Sequence, residues 1–230
     1  MRDCPMSDQD FHSFKEGVVI APFTRKKAHY ELWGKRTLDL AFALVLLPIL
    51  LPVIALLWLV VRSGGSRGFF GHRRVGRNGK IFSCYKIQTM VADAEGRLTA
   101  YLESNPQAAQ EWADTQKLTN DPRITKVGKF LRKTSLDELP QIWNVLAGDM
   151  SFVGPRPVTA VEIERYGVHR DTYLELKPGI TGVWQVEGRS SGDYFERVQM
   201  DRKYAATIGI FSDILLIAKT VTVMIQPTGR

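Results

Sequence analysis

The chain has 230 residues, 44% hydrophobic and 24% charged, which allows a packed core and excludes global disorder. Its net charge of +7 points to anionic partners: nucleic acid, phosphorylated ligands or an anionic membrane surface. Cys4 and Cys84 form no C-x-x-C and the four histidines no H-E-x-x-H, so a disulfide framework and a zinc knuckle are not indicated, and a reducing compartment is the simplest setting.

Residues 1–30 mix charged, polar and Pro residues without periodicity and read as a mobile tail. No cleavable signal peptide is expected, because the first apolar run starts too late. That run, Leu40 to Val61, is 22 residues without a charge. It reaches the roughly 20 residues needed to cross a bilayer, so a plain transmembrane helix is one reading. Pro48 and Pro52 argue for another, since each removes a backbone donor and favours a bend. Both flanks are also basic: Lys35 and Arg36 precede the run, and Arg62, Arg67, Arg73, Arg74, Arg77, Lys80 and Lys86 follow without an intervening acid. Positive flanks favour one side of the membrane, which predicts a re-entrant helix over 31–62, bent at the prolines and anchored at the interface by Lys35 and Arg36.

The remainder, 63–230, reads as a cytosolic domain. "FFGHRRVGRNGKIFSCYKIQTM" predicts two strands around an Asn78-Gly79 turn. Its likeness to a phosphate-binding P-loop is rejected, because no Ser or Thr follows Lys80. Asp93 to Leu118 is helix-rich and restarts at Asn105-Pro106, and "TNDPRIT" is a turn. Leu139 to Leu146 has helical spacing that Gly148 stops. "FVGPRPV" is expected as an extended loop and "LKPGITGVWQVEGR" as loop-rich, whereas "DYFERVQMDRKYAA" is helical. Ile208 to Ile225, interrupted by Asp213 and Lys219, is either an amphipathic helix at the membrane surface or a core helix.

The stretch "RKTSLDELPQIWN", Arg132 to Asn144, sets two carboxylates side by side. Ser135-x-x-Glu138 matches a capping box, and acids in a first turn suit the helix dipole. That reading puts Pro140 inside the helix, where it removes a hydrogen bond. The alternative is a phosphoryl-transfer site. Arg132 and Lys133 would keep Asp137 ionised, able to attack phosphorus or bind a hard cation. Arg156, held between Pro155 and Pro157, is a fork suited to a phosphate, and Lys86 and Arg189 add positive charge.

"LRKTSLDELPQIWNVLAGDMSFVGPRPV", then "KPGITGVWQVEGR", resembles the monotopic polyprenol-phosphate phosphoglycosyl transferases, the bacterial sugar transferase family. The resemblance runs from about Lys35 to Thr222 and includes "KR-x-x-D" before the apolar helix, its central Pro, the strand ending in "TM" and the Pro-Arg-Pro loop. It implies an α+β, helix-dominated fold: a compact catalytic domain with a small β-hairpin, a re-entrant N-terminal membrane helix and interfacial amphipathic helices. It implies transfer of a sugar 1-phosphate from a UDP-sugar, of the galactose or glucose type, to undecaprenyl phosphate. Asp137 would be the nucleophile and carry the phosphosugar, UMP would leave, and Mg²⁺ on Asp137 would bridge carboxylate and phosphate. Glu138 would assist as a metal or proton partner, and Arg132 would fix a phosphate. Pro155, Arg156 and Pro157 would shape the nucleotide pocket, with Lys86, Gln185 and Arg189 as further substrate contacts. The setting implied is the cytoplasmic face of a bacterial inner membrane, with membrane lipids as partners and a homodimer as a further candidate.

Three positions depart from the family's pattern. Leu51 stands where Ser often precedes the bending Pro, Gln88 replaces Arg in "KIQTM", and Glu187 stands where a small polar residue is common. Gln88 keeps open a rival reading, a non-catalytic membrane scaffold or degenerate transferase. A nucleic-acid partner is not expected: the basic run adjoins the apolar helix, where lipid headgroups explain it, and no nucleic-acid motif is present.

Overall fold

A computed structural model of the chain describes residues 29–115, 118–187 and 194–225. Most of the expected tail, residues 1–28, and Arg189 fall outside them. A π-helical turn, Tyr30–Gly34, leads into helix α1, Lys35–Ser63. The helix stays continuous through Pro48 and Pro52. Among the described residues, Tyr30–Ser63 is one helix long and apolar enough to cross a membrane, and only 11% of its most apolar window is buried. Leu44, Val45, Ile49 and Leu56 are among its exposed side chains, a surface unsuited to water.

Strands β1, Phe69–Val75, and β2, Ile81–Ile87, form the expected hairpin. Its turn needs positive φ, which Asn78 (57°) and Gly79 (74°) supply. Helices α2, Ala94–Ser104, and α3, Pro106–Thr115, restart where the sequence indicates. The Asn105 Oδ1 accepts the Ala108 N–H at 3.1 Å, and Pro106 fills a first-turn position whose N–H would have no partner. Next come α4, Lys126–Thr134, and α5, Gln141–Ala147, which ends at Gly148 with φ 86°.

The capping box expected at Ser135 does not form. Ser135 adopts the left-handed conformation (φ 56°) and ends α4; its side chain caps nothing. Leu136–Glu138 is a single 3₁₀ turn, and Pro140 immediately precedes α5. Proline thereby escapes the interior hydrogen bond it cannot make.

Two compact units share the chain. The first, among the described residues, holds 50–70, 86–115 and 118–140. The second holds 29–49, 71–85, 141–187 and 194–225. In the second, strand β3, Ser151–Val153, pairs in parallel with β4, Gly179–Thr181, in the register Ser151↔Gly179 and Val153↔Thr181. The two segments expected as loops therefore each contribute a strand. Three-residue strands are too short to show periodicity, and a parallel partner lies far off in sequence. The backbones nearly touch: a Cβ on Gly179 would lie 2.1 Å from the Gly154 nitrogen, so only glycine fits.

Short helices α6, Ala160–Ile163, and α7, Arg170–Leu174, follow β3, and α8, Val183–Glu187, follows β4. Helices α9, Tyr194–Thr207, and α10, Ile210–Ile225, complete the unit. Val75, Val158, Ile163, Tyr166, Tyr173 and Val198 form one core cluster; Val153, Leu176, Val183, Tyr204 and Leu216 form another. The start of α1 is tied into this unit by polar groups. The buried Asp213 of α10 accepts hydrogen bonds from the Tyr30 hydroxyl (2.7 Å), Lys35 Nζ (2.6 Å) and the Tyr204 hydroxyl (2.8 Å). Buried Asp39 accepts from the Ser151 hydroxyl (2.9 Å) and the Phe152 N–H (3.0 Å). Arg36 donates to the Val145 and Leu146 carbonyls at the end of α5, where the dipole favours a cation.

Replacing Asp213 by Ala leaves the mostly buried Lys35 ammonium without its counter-ion, so Asp213→Ala is expected to lower stability by about 3–5 kcal/mol. Denaturant unfolding in detergent checks this. Asp213→Asn, which still accepts a hydrogen bond, is expected to lose less.

Candidate active site

Helix α4 places the cations. Its N-cap Thr125 accepts the Gly128 N–H at 2.8 Å, and Arg132 and Lys133 fall in its last turn, where the helix dipole favours them. The helix sits directly on the segment after β2. A Cβ on Gly128 would lie 2.0 Å from the Thr89 carbonyl oxygen, so no larger residue permits that approach. The Thr125 N–H also donates to the Thr89 carbonyl at 3.1 Å.

The left-handed turn at Ser135 then sends the chain into the 3₁₀ turn that carries Asp137 and Glu138. Asp137 is buried at 7% exposure, while Glu138 is only partly buried. Lys86, from the end of β2, donates to Glu138 Oε1 at 2.8 Å. Burial pushes the Asp137 carboxyl above its ordinary value; Lys86 opposes this, Glu138 adds to it, and Arg132 opposes it. The carboxylate pair is therefore balanced by two side-chain cations, not by the dipole of a long helix.

Arg132 donates its Nε to the Thr89 hydroxyl at 2.8 Å. Among the described residues, no protein group is bonded to its Nη1 or Nη2. Nearby Asp121 does not capture it, because Arg123 occupies both Asp121 oxygens through N, Nε and Nη2.

Lys86, Arg132, Asp137 and Glu138, widely spaced in sequence, thus meet in the first unit. Pro155, Arg156, Pro157 and Gln185 lie in the second. There the Pro-Arg-Pro loop is held by its backbone. The Pro155 carbonyl accepts the Gly179 N–H (2.8 Å), the Arg156 carbonyl accepts Arg197 Nη2 (3.1 Å), and Val158 pairs with Val75. Arg197 is 1% exposed and lies over the rings of Trp184 and Tyr194. Gln185 is buried, and its Oε1 has no hydrogen-bond partner among the described residues.

The departures also find places. Gln88 Oε1 accepts the Arg67 N–H at 3.0 Å, and its own N–H donates to the Gly68 carbonyl at 2.8 Å, which ties the exit of α1 to the end of β2. Glu187 pairs with Lys219 of α10 at 2.7 Å, in a half-exposed position worth little stability. Leu51 is 42% exposed on α1. Sequence reasoning assigned no role to Thr89 or Arg197. The T-x-x-E box at Thr159–Glu162 forms and caps α6, a local signal carried by the sequence.

The family model described as "Bacterial sugar transferase" matches residues 30–227. The chain is 42% identical over 231 residues to the UDP-galactose-lipid carrier transferase of Erwinia amylovora, covering 100% of this chain and 48% of that one. It is 48% identical over 195 residues to the undecaprenyl-phosphate galactose phosphotransferase of Salmonella typhimurium, covering 85% and 41%. It is 42% identical over 197 residues to the exopolysaccharide production protein ExoY of Rhizobium meliloti, covering 85% and 87%. The chain thus spans about half the length of the first two relatives and most of the third.

A carboxyl whose folded-state pKa is raised destabilises the fold at pH values above it, and this penalty disappears below the ordinary carboxylate range, where both states are protonated. Asp137→Asn is therefore expected to raise the melting temperature at neutral pH. The gain should vanish as the pH falls below that range, as thermal unfolding across a pH series would show.

Proposed function

Because the chain belongs to the bacterial sugar transferase family, we propose that it transfers a sugar 1-phosphate from a UDP-sugar to undecaprenyl phosphate and releases UMP. Galactose is the first-choice sugar, since two of the relatives carry galactose in their names. The observation that carries the reading is the buried Asp137 carboxylate, on which the Lys86 and Arg132 cations both act electrostatically.

An Asp137 oxygen forms a bond to the β-phosphorus of the donor. The bond from that phosphorus to the bridging oxygen breaks, and UMP leaves with the oxygen. The phosphosugar then rests on Asp137 as an acyl phosphate. A phosphate oxygen of undecaprenyl phosphate attacks the same phosphorus, the bond to Asp137 breaks, and the carboxylate is restored. Splitting the displacement into two steps is the gain of a covalent nucleophile. Arg132 meets the negative charge that collects on the phosphoryl oxygens, and Lys86 holds Glu138 beside the nucleophile. Burial keeps water from intercepting the acyl phosphate.

Adjacent in one 3₁₀ turn, Asp137 and Glu138 are the carboxylates that a divalent cation would use here. Among the described residues no cluster of three or more His, Cys, Asp or Glu gathers, and a hard cation such as Mg²⁺ is often held by one or two carboxylates plus substrate phosphates. Asp137 and Glu138 would hold it, and it would supply charge screening between carboxylate and phosphate. The apolar α1 would anchor the chain re-entrantly at the cytoplasmic face of the inner membrane, where the lipid acceptor resides.

The purified full chain in detergent or vesicles is expected to release UMP from UDP-galactose when undecaprenyl phosphate and Mg²⁺ are present. Asp137→Asn should lower that release about 10³-fold or more. No UMP from any UDP-sugar, or undiminished release by Asp137→Asn, would overturn the reading. Activity needs the ionised carboxylate, so it should fall with acid through a pKa above the ordinary range. Lys86→Met removes the leading cation that lowers this pKa, and the acid limb of the pH–rate profile should move to higher pH.

A further inference from the structure

Thr89 lies between the strand that delivers Lys86 and the helix that delivers Arg132. It is 6% exposed and is bonded from both ends of α4. Its carbonyl receives the Thr125 N–H, at the start of the helix. Its hydroxyl receives Nε of Arg132, from the last turn. The two contacts are compatible because helical side chains lean back toward the N-terminus, and the absent side chain of Gly128 lets the helix rest on the Thr89 backbone.

The consequence concerns the guanidinium fork. A phosphate can meet an arginine end-on, through Nη1 and Nη2, or side-on, through Nε and one Nη. With Nε engaged by Thr89, the side-on approach is closed and the end-on pair remains. Thr89 is β-branched, so its χ1 is restricted and its oxygen is held in place. Asp121, the acid that would otherwise draw Arg132 away, is occupied by Arg123.

We propose that Thr89 is a positioning residue that fixes Arg132 so that its paired Nη1 and Nη2 donors face the transferred phosphate. The proposal rests on the phosphoryl-transfer reading of Asp137 and Arg132. Thr89 touches neither substrate nor the reacting atoms; it acts through Arg132.

The test is steady-state UMP release by the full chain with four variants. Thr89→Val keeps the shape and removes the acceptor; its kcat should fall about 10- to 100-fold, the scale of a misplaced charged group, with KM for the UDP-sugar changed less. Thr89→Ser restores the acceptor and should recover most of the loss. Arg132→Gln should be impaired, and adding Thr89→Val to it should bring no further fall. A purely structural Thr89 would instead lower activity in either background by the same factor, together with the melting temperature. Wild-type turnover with an unimpaired Thr89→Val, or losses that multiply in the double variant, overturns the role of Thr89 alone. Absence of UMP release by the wild-type chain overturns the transfer reading and this proposal with it.

Discussion

A carboxylate stripped of water prefers to be neutral, and a nucleophilic one must not be. Asp137 is under this constraint, and much of the first unit can be read as a response to it. Burial raises its pKa; the ends of β2 and α4 each bring one cation to oppose the rise. The glycine at position 128 lets α4 approach closely, and the left-handed Ser135 turns the chain so that the two acids follow at once. A non-glycine residue in that conformation is disfavoured by roughly 1–2 kcal/mol, so the surrounding packing must hold it there.

The second unit meets a related problem with buried charged groups. It buries Asp39, Asp213, Glu162 and Arg197; the three acids have hydrogen-bond partners, while Arg197 bonds through Nη2 and its Nε and Nη1 have no partner among the described residues. Arg74 pairs with Glu162 at 3.0 Å, with both side chains largely buried. The Tyr166 hydroxyl donates to Asp201, whose carboxyl burial pushes up to about 6. Such groups are costly to leave unpaired, so they specify one arrangement more sharply than apolar contacts do. The start of α1 belongs to that arrangement: Lys35, Arg36 and Asp39, basic flank and acid alike, bind protein groups in the second unit.

Elements with strong local signals were legible in the chain itself. Asn78-Gly79 requires positive φ, Asn105-Pro106 restarts a helix, Gly148 ends one, and an apolar run as long as Leu40–Val61 has few other uses. The candidate residues Asp137, Glu138 and Arg132 were legible as well, because adjacent acids followed by proline fit a plain helix start badly. The capping box misled because Ser135-x-x-Glu138 describes only side-chain identities, whereas the box also needs Ser135 in an extended conformation. The end of α4 placed it in the left-handed region instead.

The sequence by itself determined the apolar helix, the hairpin, most of the longer helices other than α4, and the acidic pair with its basic neighbours, since each follows from residues close together in the chain. Only the tertiary structure decided that β3 pairs with β4, that Lys86 reaches Glu138, that Gln88 bonds the Arg67 backbone, and that Thr89 holds Arg132. Those pairings join segments far apart in sequence. Their energy comes from burial and hydrogen bonds that exist only after the chain has closed on itself, so no local pattern records them.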